Sequence, residues 1–251
     1  MDFYNQLLAQ KLSGGGGGDS GAAFRALVDG SITEVTSESL QGITIIRNYA
    51  FYYLTNLASI TIPSGATSIG ERAFQNCLNL TSVTIENGVS SIGDYAFSSC
   101  SKLTSIIIPN SVSSMGNSVF NNCSYLTSAT LSSLATSIGQ YTFSGCISLT
   151  SVTIPNSVIS IGQYAFGGCS KLTSMTIPSS VTTINNNAFF SCQVLSSVTV
   201  EAISPPTLGN SAFGWTSSSL VIYVPAESVE TYKADSGWST YADKIQAIPS
   251  E

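Results

Sequence analysis

Hydrophobic positions recur along this chain on a grid of 23 residues. Phenylalanine stands at Phe51, Phe74, Phe97, Phe120, Phe143, Phe166, Phe189 and Phe213, and only the last step is longer, at 24 residues. Six residues after each of the first seven comes a leucine, at Leu57, Leu80, Leu103, Leu126, Leu149, Leu172 and Leu195. Further apolar residues follow at fixed places, as in Leu80-x-x-Val83-x-Ile85. The last four of these positions alternate apolar and polar, which predicts a short strand with one face inward.

Pro63, Pro109, Pro155 and Pro178 share one position after the strand, where a missing N–H ends the ladder and the chain turns. A second apolar pair follows, such as Val89 and Ile92, Val112 and Met115, or Val158 and Ile161. Next stands a glycine, at Gly70, Gly93, Gly116, Gly139, Gly162 and Gly209, replaced once by Asn185. Gly exchanged only for Asn suggests a left-handed backbone, although Arg47 in the first repeat does not fit. The segment "GDYAFSSC" and its equivalents can make one or two helical turns with Ala and Phe inward.

One such repeat cannot bury its apolar side chains, but stacked repeats bury them against each other. The spacing L-x-x-L-x-L at this period is that of a leucine-rich repeat. The expected fold is an α/β solenoid, a right-handed superhelix of 23-residue repeats with short parallel strands on one face and short helical turns on the other. Eight strands about 4.8 Å apart would span about 35 to 40 Å. The expected divisions are an N-terminal amphipathic segment and Gly linker at 1–20, an N-terminal cap at 21–45, the repeats at 46–213, and a C-terminal strand and helical cap at 214–251. In the N-terminal cap Phe24 and Leu27 suggest a short helix before a strand at 32–35. In the C-terminal cap a strand at 220–224 precedes an amphipathic segment whose Val229, Tyr232, Trp238, Tyr241 and Ile245 can cover the open core.

Composition narrows the function classes. The chain is 43% hydrophobic, enough for a sizeable core, but only 9% charged, against roughly 25% in an ordinary domain. A net charge of -6 with eight Lys and Arg in all argues against nucleic acid as a partner. No apolar run approaches the ~20 residues that cross a bilayer, so membrane insertion is not expected. The N-terminal "MDFYNQLLAQKLSGGGGGDSG" lacks a basic n-region and does not read as a secretory signal peptide. Phe3, Leu7, Leu8 and Leu12 have helical spacing before a flexible linker at 14–18, so this segment is either a frayed tail or a docking peptide.

Catalytic and metal chemistry find little support. Cys77, Cys100, Cys123, Cys146, Cys169 and Cys192 share one grid position, without a C-x-x-C or any histidine, so a zinc site is not expected. Disulfides between repeats would need Cα atoms within ~6.8 Å, whereas stacked helical turns sit ~8 to 10 Å apart. Leu54 fills the same slot in the first repeat, so an inert ladder of buried thiols is expected. Without histidine neither a Ser-His-Asp nor a Cys-His arrangement can be built. Glu71, Glu86, Asp94 and Glu201 do not pair on the grid, and "SGGGGGDSG" has no P-loop Lys. No catalytic residue, cofactor or metal is expected.

The unit "LTSVTIPNSVISIGQYAFGGCSK" at 149–171 closely resembles the BspA-like leucine-rich repeat family, and the resemblance covers about 43–224. "IYVPAESVETYKADSGWSTYADKIQAI" also looks like the terminal segment common in that family's gut-bacterial members. Its members are often cell-surface proteins that bind host proteins or other bacteria, so the resemblance implies recognition rather than catalysis, at a cell surface. The N-terminal segment is similar to leaders on prophage-type reading frames, which implies a virion as the other location. The expected partner is a host or bacterial surface protein or glycan. On the strands, outward Ser and Thr form hydroxyl ladders, and the stretch 103–170 has no charged residue. The candidate contact residues are therefore Ser105, Ile107, Ser128, Thr130, Ser151 and Thr153. Tyr49, Tyr95, Tyr141 and Tyr164 recur two places before the Phe and are expected to pack at the edge of the turns. An ice-binding-type Ser/Thr array is the alternative, and a hydrolase the third reading.

Overall fold

Residues 33–40 and 42–250 are described by the computed structural model. The expected segment at 1–20 and most of the cap at 21–45 lie outside them. Long-face strands occur at Glu34–Val35, Ser59–Ile62, Ser82–Ile85, Ser105–Ile107, Ser128–Thr130, Ser151–Thr153, Ser174–Ile177, Ser197–Val200 and Val221–Val224. Where they pair they run parallel and in strict register, so that Ser59 lies opposite Ser82 and Ile62 opposite Ile85. Alternation does what the pattern requires: Val83 and Ile85 are buried, while Ser82 and Thr84 face out. The chain is a parallel-strand β-solenoid of about nine coils. The long face is divided into three ladders, with breaks after Ser82–Ile85 and after Ser151–Thr153.

A second column of two-residue strands follows the proline turn, from Ile45–Ile46 and Ser68–Ile69 to Thr183–Ile184 and Thr207–Leu208. Such strands are too short to show a sequence period, and only the apolar pairs announced them. Next comes the glycine column, which corrects the expected left-handed conformation. None of Gly70, Gly93, Gly116, Gly139, Gly162 and Gly209 has positive φ. A Cβ on Gly93 would instead press on the backbone of Gly70 and Glu71, and one on Gly162 on that of Gly139 and Gln140. Crowding by the preceding coil closes the slot. Arg47 follows Ile45–Ile46, the first strand of this column among the described residues. Asn185 donates from Nδ2 to the Ile161 carbonyl at 2.9 Å, the same oxygen that accepts its own N–H.

The third side corrects the expected helical turns: among the described residues before Ala226 there is no helix. Two columns of left-handed residues take its place. Tyr49, Arg72, Tyr95, Ser118, Tyr141, Tyr164, Asn187 and Ser211 have φ of 52 to 60°, and Tyr53, Asn76, Ser99, Asn122, Gly145, Gly168, Ser191 and Trp215 have φ of 57 to 74°. Each is the third residue of a tight turn, as in the bonds from Ala50 N–H to Arg47 O and from Leu54 N–H to Phe51 O. The conformation turns alternate N–H groups toward the next coil. Tyr49, Phe51 and Tyr53 donate to the carbonyls of Glu71, Ala73 and Gln75 at 2.9, 2.7 and 2.9 Å. Helices would pack at ~8 to 10 Å and splay coils whose strands sit ~4.8 Å apart, whereas these turns keep strand-like spacing.

At the C-terminal end the helix Val229–Ala234 and the 3-10 turn Ser239–Lys244 lie over the last coil. Trp238 and Tyr232 are fully buried, their polar ends donating to Pro206 O and Ala202 O at 2.7 Å each. Trp238 and Tyr241 cover Phe213, at ring separations of 6.1 and 5.6 Å. A strand at Ile245–Ala247, not anticipated from its short polar-interrupted sequence, adds in parallel to Val221–Val224.

The phenylalanines form one buried column, with neighbouring rings stacked 4.9 to 5.7 Å apart and within 14° of parallel. Beside it run the thiols, free and buried. The spacing argument against disulfides rested on helical turns and does not apply. Each Sγ–H instead donates to the carbonyl of the preceding coil's Phe, at 3.0 to 3.2 Å. Leu54 fills the first slot, and the position 26 residues before it, where the acceptor would stand, lies outside the described residues.

Replacing Phe143, fully buried between Phe120 and Phe166, with Ala is expected to destabilise the protein by about 3 to 5 kcal/mol through the cavity it leaves. Chemical denaturation checks this, and a loss under about 1 kcal/mol would mean the column is not the core. Burial pushes the Cys77 and Cys123 thiols up from 9.0 to about 12, and holds Cys100 and Cys146 well above 9.0. Cys169 is likewise held well above 9.0, by the neighbouring Cys192 thiol and by burial. The folded protein therefore holds thiol protons that the unfolded chain releases near pH 9. Stability should be flat from neutral pH to about 8 and fall above about 9, with alkylation of the native thiols slow throughout that neutral range. Denaturation midpoints across pH, with alkylation rates, measure both; rapid native alkylation would contradict the burial.

Candidate functional site

The central long-face strands bring all six candidate residues together. Ser105, Ser128 and Ser151 form one transverse row, and Ile107, Thr130 and Thr153 the next. Beneath them Ile106, Ala129 and Val152 point into the core. Ile107 is 68% exposed, an apolar knob among hydroxyls. It also breaks the regularity of the Thr row.

Hydroxyls on this protein fall into two sets. Those flanking the strands are used by the backbone: Thr81, Thr127 and Thr150 donate to the carbonyls of Ala58, Thr104 and Thr127 at 2.9 to 3.1 Å. Beside the short strands Thr67 and Ser90 do the same, to Thr44 and Thr67 at 3.0 Å. The hydroxyls of Ser105, Ser128, Thr130, Ser151 and Thr153 have no partner among the described residues. Fixed by the sheet and unspent, they can donate to and accept from a partner. A cleft of about 70 Å³ beside them, lined by Ile108, Val112, Met115, Leu131 and Ala135, is far smaller than the ~300–1,000 Å³ of a small-molecule pocket.

On the turn face the tyrosines stack along the axis. Arg72 lies between Tyr49 and Tyr95, its guanidinium 5.7 and 5.0 Å from their rings, with Nε 3.3 Å from Glu71. Tyr141 stacks on Tyr164 at 5.2 Å. Phe190 and Trp215 extend this contact; their sequence signal is faint, since in their columns the only other aromatics are Tyr52 and Tyr53 of the first described repeat. Among the described residues no three His, Cys, Asp or Glu side chains are grouped to hold a metal ion, and no helix is long and apolar enough to cross a membrane.

Solved structures show the same architecture. A leucine rich cell surface protein from Faecalibacterium prausnitzii A2-165 is 29% identical, with a TM-score of 0.63 over 79% of this chain and 65% of its own. The leucine rich repeat protein of T. pallidum is 26% identical, with a TM-score of 0.59 over 65% of this chain and 78% of its own. One from Bacteroides ovatus ATCC 8483, at 24% identity and a TM-score of 0.53, covers 86% of this chain and 66% of its own and shows the fold alone. No curated protein matches the chain. The model of the BspA type leucine rich repeat region matches residues 25–149 and 136–236 in 6 copies, and the chain belongs to that family.

Proposed function

We propose that this protein is a non-catalytic recognition module, adhesin-like at a bacterial surface or carried on a virion, that holds a protein or glycan partner of a host or bacterial surface. The observation that carries the reading is the pair of in-register rows at Ser105, Ser128, Ser151 and Ile107, Thr130, Thr153, whose hydroxyls have no partner among the described residues. A rigid solenoid presents many similar weak contacts at once, so affinity is distributed along the face rather than concentrated in a pocket. Family membership and the cell-surface description of the Faecalibacterium protein support the same reading. The exposed Ile107 and the breaks in the long-face ladder weigh against the ice-binding alternative, which needs an even array.

Replacing Thr130 and Thr153 together with Lys is expected to leave the fold intact by circular dichroism, because both side chains face outward, with a slightly lower thermal midpoint because the two charges stand side by side. Adhesion to immobilised mucin or matrix protein should fall about tenfold. Wild-type binding should vary little between low and physiological salt, since 103–170 has no charges to screen. Undiminished adhesion of the double variant would leave this face a solvated sheet; loss of adhesion only on deleting 1–20 would move the partner to the N-terminal segment.

A further inference from the structure

A second surface lies on the turn side, at the C-terminal end of the stack. Tyr141, Tyr164, Phe190 and Trp215 come from four successive coils, and their ring centroids follow one another at 5.2, 6.0 and 6.4 Å. Trp215 is 78% exposed, in a left-handed conformation that a bulky residue seldom adopts. The rings are given room. A Cβ on Gly167 would strike the Tyr164 ring, and one on Gly214 would lie 3.0 Å from Phe190 Cδ2. Within Trp215's own column the preceding residues are Ser191, Gly168 and Gly145, so a shallow trough with little side chain on its floor leads up to the indole. A Cβ on Gly168 would meet only Gly145, at 3.8 and 3.9 Å.

We propose that this strip binds a neutral, extended oligosaccharide: one sugar ring stacks on the exposed indole of Trp215, and the chain continues along the edges of Phe190, Tyr164 and Tyr141, the last two of which stack on each other within 12° of parallel. Three features select this occupant. First, the segments 141–146, 164–169, 187–192 and 211–216 contain no charged side chain, which disfavours acidic or basic ligands. Second, the strip is one ring wide, too narrow for the ~800 Å² per partner of a stable protein interface or a second copy of the chain. Third, the C–H face of a pyranose complements the negative face of the exposed indole, while its hydroxyl edge can exchange hydrogen bonds with uncharged side chains such as Asn187, Ser191 and Ser211 in the neighbouring columns. The site is separate from the long-strand face and stands or falls independently of it.

The two tryptophans supply the probe, because Trp215 is exposed and Trp238 is fully buried. Titrating the full chain with cellohexaose, chitohexaose, mannohexaose and xylohexaose should shift the emission of the exposed indole with at least one of them. Trp215→Ala should lose that signal and weaken binding, read by calorimetry, about tenfold. Tyr164→Ala should weaken it severalfold, and Trp215→Phe should retain most of it. Trp238 emission and circular dichroism report that each variant is folded. The Thr130→Lys/Thr153→Lys variant should bind the sugar as wild type does. Absence of binding to all four sugars, or equal affinity in the folded Trp215→Ala variant, overturns the proposal. So does sugar binding lost in the strand-face variant and kept in Trp215→Ala.

Discussion

Hydrogen bonding from coil to coil, at strand spacing on all three sides, is the constraint on which the rest of this structure depends. Where every coil must donate to and accept from its neighbours at ~4.8 Å, identical positions fall in register and each side chain meets its own kind. Phenylalanine suits that geometry, because flat rings stack within 5.7 Å and leave no gap between layers. Glycine is needed wherever one backbone presses on the next, as Gly93 does on Gly70. The thiol is small enough to stand beside the Phe column and polar enough to bond the one carbonyl that the coil below leaves within reach.

Left-handed residues are the cost of keeping the third side at that spacing. A non-glycine residue in this region costs about 1–2 kcal/mol, and the turn face carries one or two per coil. Asn and Ser tolerate it through local bonding, but Tyr, Arg and Trp do not, and they occupy it here all the same. What offsets the strain is collective. Each inverted turn frees N–H groups to bond the next coil, and burial of Ala, Phe and Cys beneath that turn reinforces it. A helix would satisfy the same amides internally and lose the contact between coils.

The period, the long strands and the buried columns were legible because they repeat, and repetition makes even a four-residue strand visible. The turn face was not. "GDYAFSSC" has helix-compatible residues, and nothing local distinguishes an amide bonded to its own turn from one bonded 22 residues ahead. The glycine column misled for a related reason: Gly is selected by positive φ and by crowding alike, and only stacked coordinates separate the two. A sign was available in the first described repeat, since Arg47 would be costly at a left-handed site. Leu54 occupies the cysteine slot in the first described repeat, whereas Thr216 in the last carries a hydroxyl that donates within its own turn, to Phe213 O. At the candidate face, alternation placed the residues, but which hydroxyls the backbone consumes depended on coil-to-coil geometry.

That division of hydroxyls is where fold becomes function. Threonines beside the strands can reach the carbonyl of the preceding coil, because the chain leaves the sheet there and exposes it. Within a strand the carbonyls are held by the neighbouring strand's N–H groups, so the outward Ser and Thr side chains of the central strands find no acceptor among the described residues. A stacked parallel sheet therefore produces rows of unpaired hydroxyls at fixed spacing as a direct result of satisfying its backbone. Over 103–170, where no charged residue stands, long-range, salt-sensitive attraction is weak. Selectivity must then come from irregularities in the array. Ile107 in the Thr row and Trp215 at the end of a column of small residues are two such irregularities, and each sits where a partner would be read by shape rather than by charge.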